Sequence, residues 1–182
     1  MRKLSNLKVV FLLTVCLLFS GVSAKAQKRT PGARSSRRSA AGKNTSANST
    51  AVIKQNSEKV ADKIKTLARF IYLYGGSVSQ IQSIDAEARR QKLSPDTQQK
   101  YDAGRKGLVL TIHNFKVAMS DLENDFRAAP ALKQYLLKIT GVADLAGTAE
   151  DQAAAGQYDQ SGRTLLDLMN QLTDVLLAMR QS

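Results

Sequence analysis

The stretch that decides the fold is GRTLLDLMNQLTDVLLAMR, residues 162–180. Its large apolar side chains recur at steps of three and four residues, at Leu165, Leu168, Met169, Leu172, Val175, Leu176 and Met179. The positions between them are polar, at Asp167, Asn170, Gln171 and Asp174. Because an α-helix turns once in about 3.6 residues, this spacing gathers the apolar side chains on one face. The C-terminal segment is therefore predicted to be an amphipathic helix that packs against other helices.

A helical period also runs from about residue 52 to residue 90. Apolar side chains repeat there every seven residues, at Ile53, Val60, Leu67, Tyr74, Ile81 and Ala88. This heptad spacing is the coiled-coil pattern, in which a helix presents a continuous seam to its neighbours. The seam crosses Gly75 and Gly76 without losing register. Although each Gly costs about 1 kcal/mol inside a helix, the unbroken phase favours one long helix over a break at this glycine pair.

A second helix is predicted to begin at Ser94 and Pro95, which supply an N-cap and a first-turn proline. Its apolar stripe steps by threes and fours through Tyr101, Leu108, Ile112, Phe115, Met119, Leu122 and Phe126. Leu110 and Val117 lie on the opposite face of the same helix. A helix that is apolar on two sides is expected to have packing neighbours on both.

A third, weaker helix is predicted to open at Pro130 and to end at residues 153–156, with Gly141 and Gly147 interrupting its stripe. No strand pattern competes with the helical one. Four helices joined by short turns pack most simply in alternating directions. Residues 51–182 are therefore predicted to be all-α and to form an up-down-up-down four-helix bundle.

The first two predicted helices are longer than the last two, so part of their hairpin must extend past the others. This part, roughly residues 77–107, is predicted to form a projecting two-helix tip. Ile81 and Ile84 are expected to face Gly107 and Gly104, so that large side chains meet small ones. An exposed tip of this kind also permits a homodimer.

Residues 1–26 have the pattern of a secretory signal peptide. A basic start is followed by an apolar run of eleven residues, 9–19, and then by small residues. Because spanning a bilayer takes about 20 apolar residues, a permanent membrane helix is the weaker interpretation. Cleavage is predicted after Ala26, with Ala24 as the alternative. The remaining chain is then expected outside the cytoplasm, in the periplasm or secreted.

Residues 27–50 contain no Val, Ile, Leu, Met or aromatic residue, so they are predicted to be a disordered linker. The linker has no acid and six cations, at Lys28, Arg29, Arg34, Arg37, Arg38 and Lys43. Of the net charge of +12, residues 51–182 carry +2. Because nucleic-acid readers hold their cations on a folded face, sequence-specific nucleic-acid binding is not predicted. The linker is either a solvated spacer or a weak tether to an anionic envelope or membrane surface.

A single cysteine and a single histidine exclude most catalytic and metal chemistries. Structural zinc sites need several such ligands, and covalent haem needs a Cys-x-x-Cys-His motif. His113 is expected to be a surface or boundary residue beside the glycine pair of the first helix. The alternation of Asp121, Glu123 and Asp125 resembles the start of a calcium-binding loop. Such a loop requires glycine at the next position, where this chain has Phe126. These carboxylates are predicted to form a solvated helix face, and no catalytic, cofactor-binding or metal-ligating residue is predicted.

The predicted function is that of an exported, noncatalytic helical-bundle protein, an envelope-associated or secreted interaction or structural module. The tip and the basic linker are the expected contact surfaces. The alternative is a small-molecule or haem carrier, in which His113 would pair with Met119, Met169 or Met179. Methionine at core spacing is more often a filler of the core than a ligand, so the interaction module is preferred.

Overall fold

The computed structural model describes residues 41–181 of the 182-residue chain, with side chains from residue 48 onward. Over this range the chain forms four α-helices of three turns or more and no β-strand: α1 (Ala41–Ala88), α2 (Pro95–Ala128), α3 (Val142–Ala154) and α4 (Tyr158–Arg180). A connecting segment between α2 and α3 holds a 3₁₀-helix, Pro130–Tyr135, and one α-helical turn, Leu136–Ile139. The predicted all-α class is confirmed for these residues, and none of their helices has the length and apolar character needed to cross a membrane.

Helix α1 begins at Ala41, ten residues before the predicted boundary between linker and bundle. Residues 41–50 contain no large apolar residue, and the first side chains that pack against the core are Val52 and Ile53. Once core packing fixes α1, each further residue adds one backbone hydrogen bond, so the helix can continue outward. The predicted signal peptide and residues 27–40 of the predicted linker lie outside the described residues.

Two predictions about helix boundaries are confirmed. Helix α1 continues through Gly75 and Gly76, as the unbroken heptad phase indicated. Helix α2 follows Ser94, whose Oγ accepts a hydrogen bond from the Thr97 N–H at 3.2 Å, and Pro95 occupies its first position.

The third predicted helix is divided at Gly141. This residue has φ +96°, in the left-handed region that glycine adopts without steric cost. The helical turn of the connecting segment therefore ends at Ile139, and α3 starts at Val142. Gly147, which was also expected to interrupt the stripe, lies inside α3, where an added Cβ would meet the Lys116 side chain at 3.5 Å.

The core lies where the apolar faces of the helices meet. Helices α1 and α3 each pack against both α2 and α4. The contacts Lys59 to Asp125, Phe70 to Phe115 and Asp85 to Tyr101 show that α1 and α2 run antiparallel. The largest fully buried side chains are Val60, Leu67, Ile112, Met119, Leu122, Phe126, Leu132, Ile139, Val142, Leu165, Leu168 and Leu172. The predicted stripes of α1, α2 and α4 supply most of this core, although Ala88 at the end of the α1 stripe is exposed.

Two predictions about the tip are wrong. Val78 and Ile81 are buried in the same core as the rest of α1, so the part without outer partners is shorter than residues 77–107. A Cβ added at Gly104 or Gly107 would meet nothing within 4 Å in the described part of the chain. The close contacts predicted between these glycines and Ile81 and Ile84 are therefore not made.

The prediction that a packing neighbour covers the second apolar face of α2 is also wrong. Leu110 is 59% exposed and Val117 is 48% exposed. Single apolar side chains are common on the surfaces of soluble domains. Leu110 and Val117 can therefore remain on the surface without a helix packed over them.

Candidate functional site

A polar cluster holds the end of the α1–α2 hairpin together. The Tyr101 hydroxyl on α2 donates a hydrogen bond to Oδ1 of Asp85 on α1. Arg105 Nη1 donates to the Tyr101 hydroxyl at 3.4 Å, and its guanidinium carbon lies 5.6 Å from the Tyr101 ring centroid. Partial burial and the hydrogen bond to Asp85 raise the pKa of Tyr101. The cluster fixes α1 against α2 beyond Ile81 and Leu108, the last buried apolar residues of the two helices on this side.

A notch of about 460 Å³ lies beside this cluster, between the end of α1 and the turn that precedes α4. The lining residues are Gln82, Asp85, Ala86, Arg89, Arg90, Gly156 and Tyr158. Arg89 and Arg90 are exposed, and neither forms an ion pair with another described residue. Gly156 has φ +77°, which lets the chain turn sharply between α3 and α4. The notch therefore has a rim with two unpaired arginines.

Tyr158 lines the notch and is 4% exposed. Its carbonyl oxygen accepts a hydrogen bond from the Tyr74 hydroxyl at 2.9 Å. Its own hydroxyl is buried, and the Arg105 guanidinium on α2 interacts with it through its charge and as a hydrogen-bond donor.

Helix α4 starts at the notch with an N-terminus that lacks a side-chain cap. Its N-cap residue is Gln157, whose side chain makes no capping hydrogen bond to the described chain. The first backbone N–H groups of a helix have no partner within the helix and carry a partial positive charge. Asp159 in the first turn is an acid that complements this charge.

An open groove of about 440 Å³ lies between α2 and α3 and is lined by Asp102, Arg105, Lys106, Val109, Leu110, His113, Glu150 and Ala154. Oε1 of Glu150 lies 2.9 Å from Nδ1 of His113, and Oε2 accepts a hydrogen bond from Lys116 Nζ at 3.2 Å. Burial alone would raise the pKa of Glu150, but the hydrogen bonds and charges of Lys116 and His113 lower it below its usual value. His113 is exposed, as predicted, but its predicted position beside the glycine pair of α1 is wrong because its ring contacts α3.

The lowered pKa of Glu150 predicts a pH dependence of stability. A carboxylate with a lower pKa in the folded state stabilises the fold above its unfolded value, near 4.5, and loses this contribution as the pH falls through the folded value. We expect Glu150→Gln to lower the free energy of unfolding at neutral pH, and its difference from the wild type to shrink as the pH falls below about 4.5. Urea denaturation at a series of pH values measures this difference. The control is Asp151→Asn, a change at an exposed residue of the same helix. The prediction would be contradicted if the difference in unfolding free energy between Glu150→Gln and the wild type stayed the same in acid.

Glu123 is a buried carboxylate, so the prediction of a solvated helix face is wrong for this residue. Its side chain is 8% exposed. Oε1 accepts hydrogen bonds from the backbone N–H groups of Gly141 at 3.0 Å and Ala143 at 3.1 Å. Oε2 accepts a hydrogen bond from Arg127 Nη2 at 2.8 Å. A carboxylate on α2 therefore caps the N-terminus of α3, where Gly141 has no side chain to do so.

The other two carboxylates of that group are more exposed. Asp121 is exposed. Asp125 on α2 forms an ion pair with Lys59 on α1, in which Lys59 Nζ lies 2.6 Å from Asp125 Oδ2. One signal could have indicated the role of Glu123. Helix α3 begins after Gly141 without a Ser, Thr, Asp or Asn at the capping position, so an acceptor for its first N–H groups has to come from elsewhere.

The structure does not bring His113 together with the methionines considered for a haem site. Met119 and Met179 are buried in the core, and Met169 is half-buried on α4. His113 lies instead on the surface of α2, beside Glu150. Within the described residues, no group of three or more His, Cys, Asp or Glu side chains is placed to hold a metal ion.

The cations predicted to form a surface tether are mostly outside the described residues, namely Lys28, Arg29, Arg34, Arg37 and Arg38. Lys43 lies near the start of α1, at a position whose side chain is not described. The tether therefore stays a prediction.

Comparisons with protein-family models, with curated proteins and with solved structures found no match to this chain. The features that bear on function are therefore the polar cluster at the hairpin end, the notch beside it and the groove between α2 and α3.

Proposed function

We propose that this chain is an exported, noncatalytic helical-bundle protein that acts as an envelope-associated or secreted interaction or structural module. Export is supported by the basic start and the eleven-residue apolar run within residues 1–26. Removal of this leader would leave the helical domain in the periplasm or outside the cell. A role in contact is supported by the composition, because a single His and a Cys confined to the leader offer few groups for catalysis.

The architecture that we propose is an up-down-up-down bundle with a projecting tip. Helices α1, with 48 residues, and α2, with 34, are longer than α3, with 13, and α4, with 23. The turn between α3 and α4 lies against α1 near Gln82 and Ala86, because these residues share one notch with Gly156. The tip is then the part of the hairpin beyond this turn, roughly residues 87–100.

The observation that carries the proposal is the cluster of Asp85, Tyr101 and Arg105. It joins α1 to α2 at the base of the tip, where apolar packing has ended. A hairpin end held in this way keeps a defined surface instead of fraying. Four exposed cations lie within residues 87–100, against two exposed acids: the cations are Arg89, Arg90, Lys92 and Lys100, and the acids are Glu87 and Asp96, of which Asp96 pairs with Lys100. An exposed, cationic and ordered hairpin end suits contact with an anionic partner.

The linker and the tip have further roles within this proposal. Residues 27–50 would serve as a spacer or as a weak tether to an anionic envelope or membrane surface. The tip would also be available for a homodimer contact. A tether that acts by charge weakens as salt is added, because solvent-exposed charges are screened.

The test of export is cell fractionation followed by N-terminal sequencing of the full chain produced in its host. We expect the protein in the extracytoplasmic fraction with Gln27 as its first residue, or Lys25 if cleavage follows Ala24. A cytosolic protein that retains the leader would contradict the proposal.

The same purified protein distinguishes an interaction module from a carrier. We expect native mass spectrometry to give the mass of the polypeptide alone and the absorption spectrum to lack a Soret band. A tightly retained lipophile or a haem spectrum would favour the carrier instead.

A further inference from the structure

We propose that two copies of this chain associate through the exposed face that α1 and α4 share. The inference rests on the proposed role in contact and deepens it, because it places the homodimer on a named surface away from the tip. This surface, the α1–α4 face, is defined by Tyr72 on α1 and by Leu166 and Leu177 on α4.

The two leucines lie on α4 beside the edge that packs against α1. A Cβ added at Gly162 on that edge would lie 3.3 Å from the Tyr74 ring of α1. Leu166 follows Gly162 by one helical turn and is rotated further from the core, where it is 42% exposed. Leu177 follows Leu166 by eleven residues, which is about three turns. The two leucines therefore share one side of α4.

Tyr72 lies on the matching side of α1. Ala86, about four turns after Tyr72, lines the same notch as Gly156 at the start of α4. This side of α1 is therefore the one next to α4. Because Ala86 lies near Gly156 whereas Tyr74 contacts Gly162, residue numbers fall along α1 as they rise along α4, and the two helices run antiparallel.

The α1–α4 face is a continuous apolar strip. Tyr72 is 85% exposed and Leu177 is 50% exposed, while Met169 and Leu176 are partly buried between the two helices. The exposed residues thus lie over further apolar surface, unlike single apolar side chains on a polar helix. An exposed apolar patch with a polar rim is typical of a protein contact site.

The size of this face suits a stable dimer. Helix α4 has 23 residues and is about 35 Å long, and two helices packed side by side are about 20 Å wide. A face of these dimensions offers roughly 700 Å² per copy, close to the roughly 800 Å² that each partner contributes to a standard interface.

The charges beside the face give the argument for a second copy. Arg69 lies five residues before Tyr74 and Asp167 lies five residues after Gly162. Because the helices run antiparallel from that contact, Arg69 and Asp167 are at the same level along the pair. Both are exposed, and neither forms an ion pair with another described residue.

A two-fold axis parallel to the helices brings these charges together. It places α1 of each copy over α4 of the other, antiparallel and at the same level, because a two-fold contact uses one patch on both subunits. Arg69 lies on the outer flank of the face, one turn before Tyr72, and Asp167 lies on the opposite flank, directly after Leu166. Arg69 of each copy then meets Asp167 of the second copy, once at each rim of the interface.

One pair of like charges has to be weighed against this arrangement. Asp62 is at the same level as Asp174 and would face it across the two copies. Lys65 Nζ lies 3.2 Å from Asp62 Oδ1 and offsets its charge. From residue 63 to residue 84, α1 has three cations and no acid. The flank of α1 is therefore cationic where α4 presents acids, which is the complementarity that steers two surfaces into register.

The first test is the mass of the full chain as purified from its host, measured by sedimentation over a series of concentrations. We expect a reversible equilibrium between one and two polypeptides. The dimer has the mass of two polypeptides with nothing added, so it remains distinct from a carrier with a bound ligand. A chain that stays monomeric at every concentration would overturn the proposal.

The second test introduces a charge into the α1–α4 face. Leu177→Glu is expected to weaken the dimer at least roughly tenfold, because it buries a carboxylate in the apolar strip. Leu110→Glu is the matched control, since Leu110 is 59% exposed on α2 and away from this face, and less than about a twofold change is expected. Circular dichroism at a concentration where the wild type is monomeric checks that each variant is folded.

The third test exchanges the charges of the rim pair. Arg69→Glu and Asp167→Arg are each expected to weaken the dimer at least roughly tenfold, because each places like charges together at both rims. The double variant restores opposite charges and is expected to dimerise within about threefold of the wild type. Recovery in the double variant also excludes misfolding as the cause of the single losses.

Three further results would overturn the proposal. A dimer that persists in Leu177→Glu would lie on another surface, such as the tip. An equal loss in Leu110→Glu would show that the effect is not specific to this face, and a double variant without recovery would contradict the pairing of Arg69 with Asp167. None of these results changes the fractionation experiment, whereas a dimer formed by a cytosolic chain that keeps its leader would overturn export alone.

Discussion

Replacing Glu123 by alanine is expected to lower the free energy of unfolding by about 3 kcal/mol. The carboxylate is 8% exposed and accepts hydrogen bonds from the N–H groups of Gly141 and Ala143 and from Arg127. Alanine would leave both backbone donors of α3 without this acceptor and would remove the charge that favours a helix N-terminus. Urea denaturation followed by far-ultraviolet circular dichroism measures the loss.

Two variants separate the cap from other effects of this change. Asp121→Ala removes an exposed carboxylate from the same helix, two residues away, and is expected to change stability by less than about 0.5 kcal/mol. Glu123→Gln keeps one side-chain acceptor for the backbone donors of α3. Its loss of unfolding free energy should therefore lie between the losses of Asp121→Ala and Glu123→Ala. An equal effect of Glu123→Ala and Asp121→Ala would show that the cap does not stabilise the fold.

Replacing Leu168 by alanine is expected to cost about 3 kcal/mol of unfolding free energy, within the roughly 2–5 kcal/mol found for buried leucines. Leu168 is fully buried on α4 and belongs to the core cluster. Its removal deletes apolar contacts with the facing helices and leaves a cavity that the surrounding side chains fill only in part. Guanidinium denaturation of the two proteins gives the difference directly.

The matched control is Leu166→Ala, the same change two residues earlier on the same helix. Leu166 is 42% exposed, so less apolar surface returns to water and no closed cavity forms. We expect a loss of about 1 kcal/mol or less. If the two variants lost equal stability, the face of α4 assigned to the core would be wrong.

The helices of this protein could largely be predicted from spacing within each segment. The heptad seam of α1, the capped start at Ser94 and the stripe of α4 all depend on residues near one another in the chain. The boundary at Ala41 could not be predicted in this way. Residues 41–50 contribute no large apolar side chain, and their helix continues one that packing fixes farther along α1.

The candidate site was less accessible to prediction. Arg89 and Arg90 lie at the end of α1, and Tyr158 lies about seventy residues further along the chain. Their shared notch exists because the turn after α3 comes to rest against α1. The cluster of Asp85, Tyr101 and Arg105 depends in the same way on how α2 is aligned along α1.

The amino-acid sequence by itself determined that most of residues 51–181 are helical, which faces of α1, α2 and α4 supply the core, and where α2 begins. Those properties follow from the local geometry of an α-helix, in which each residue advances by a constant angle. The tertiary structure alone decided that Glu123 caps α3, that His113 contacts Glu150, and that Tyr158 lies beside two unpaired arginines. Such contacts depend on the rotation and the register of one helix against another. A shift of a single residue turns a helical side chain by about 100° and so exchanges its neighbours.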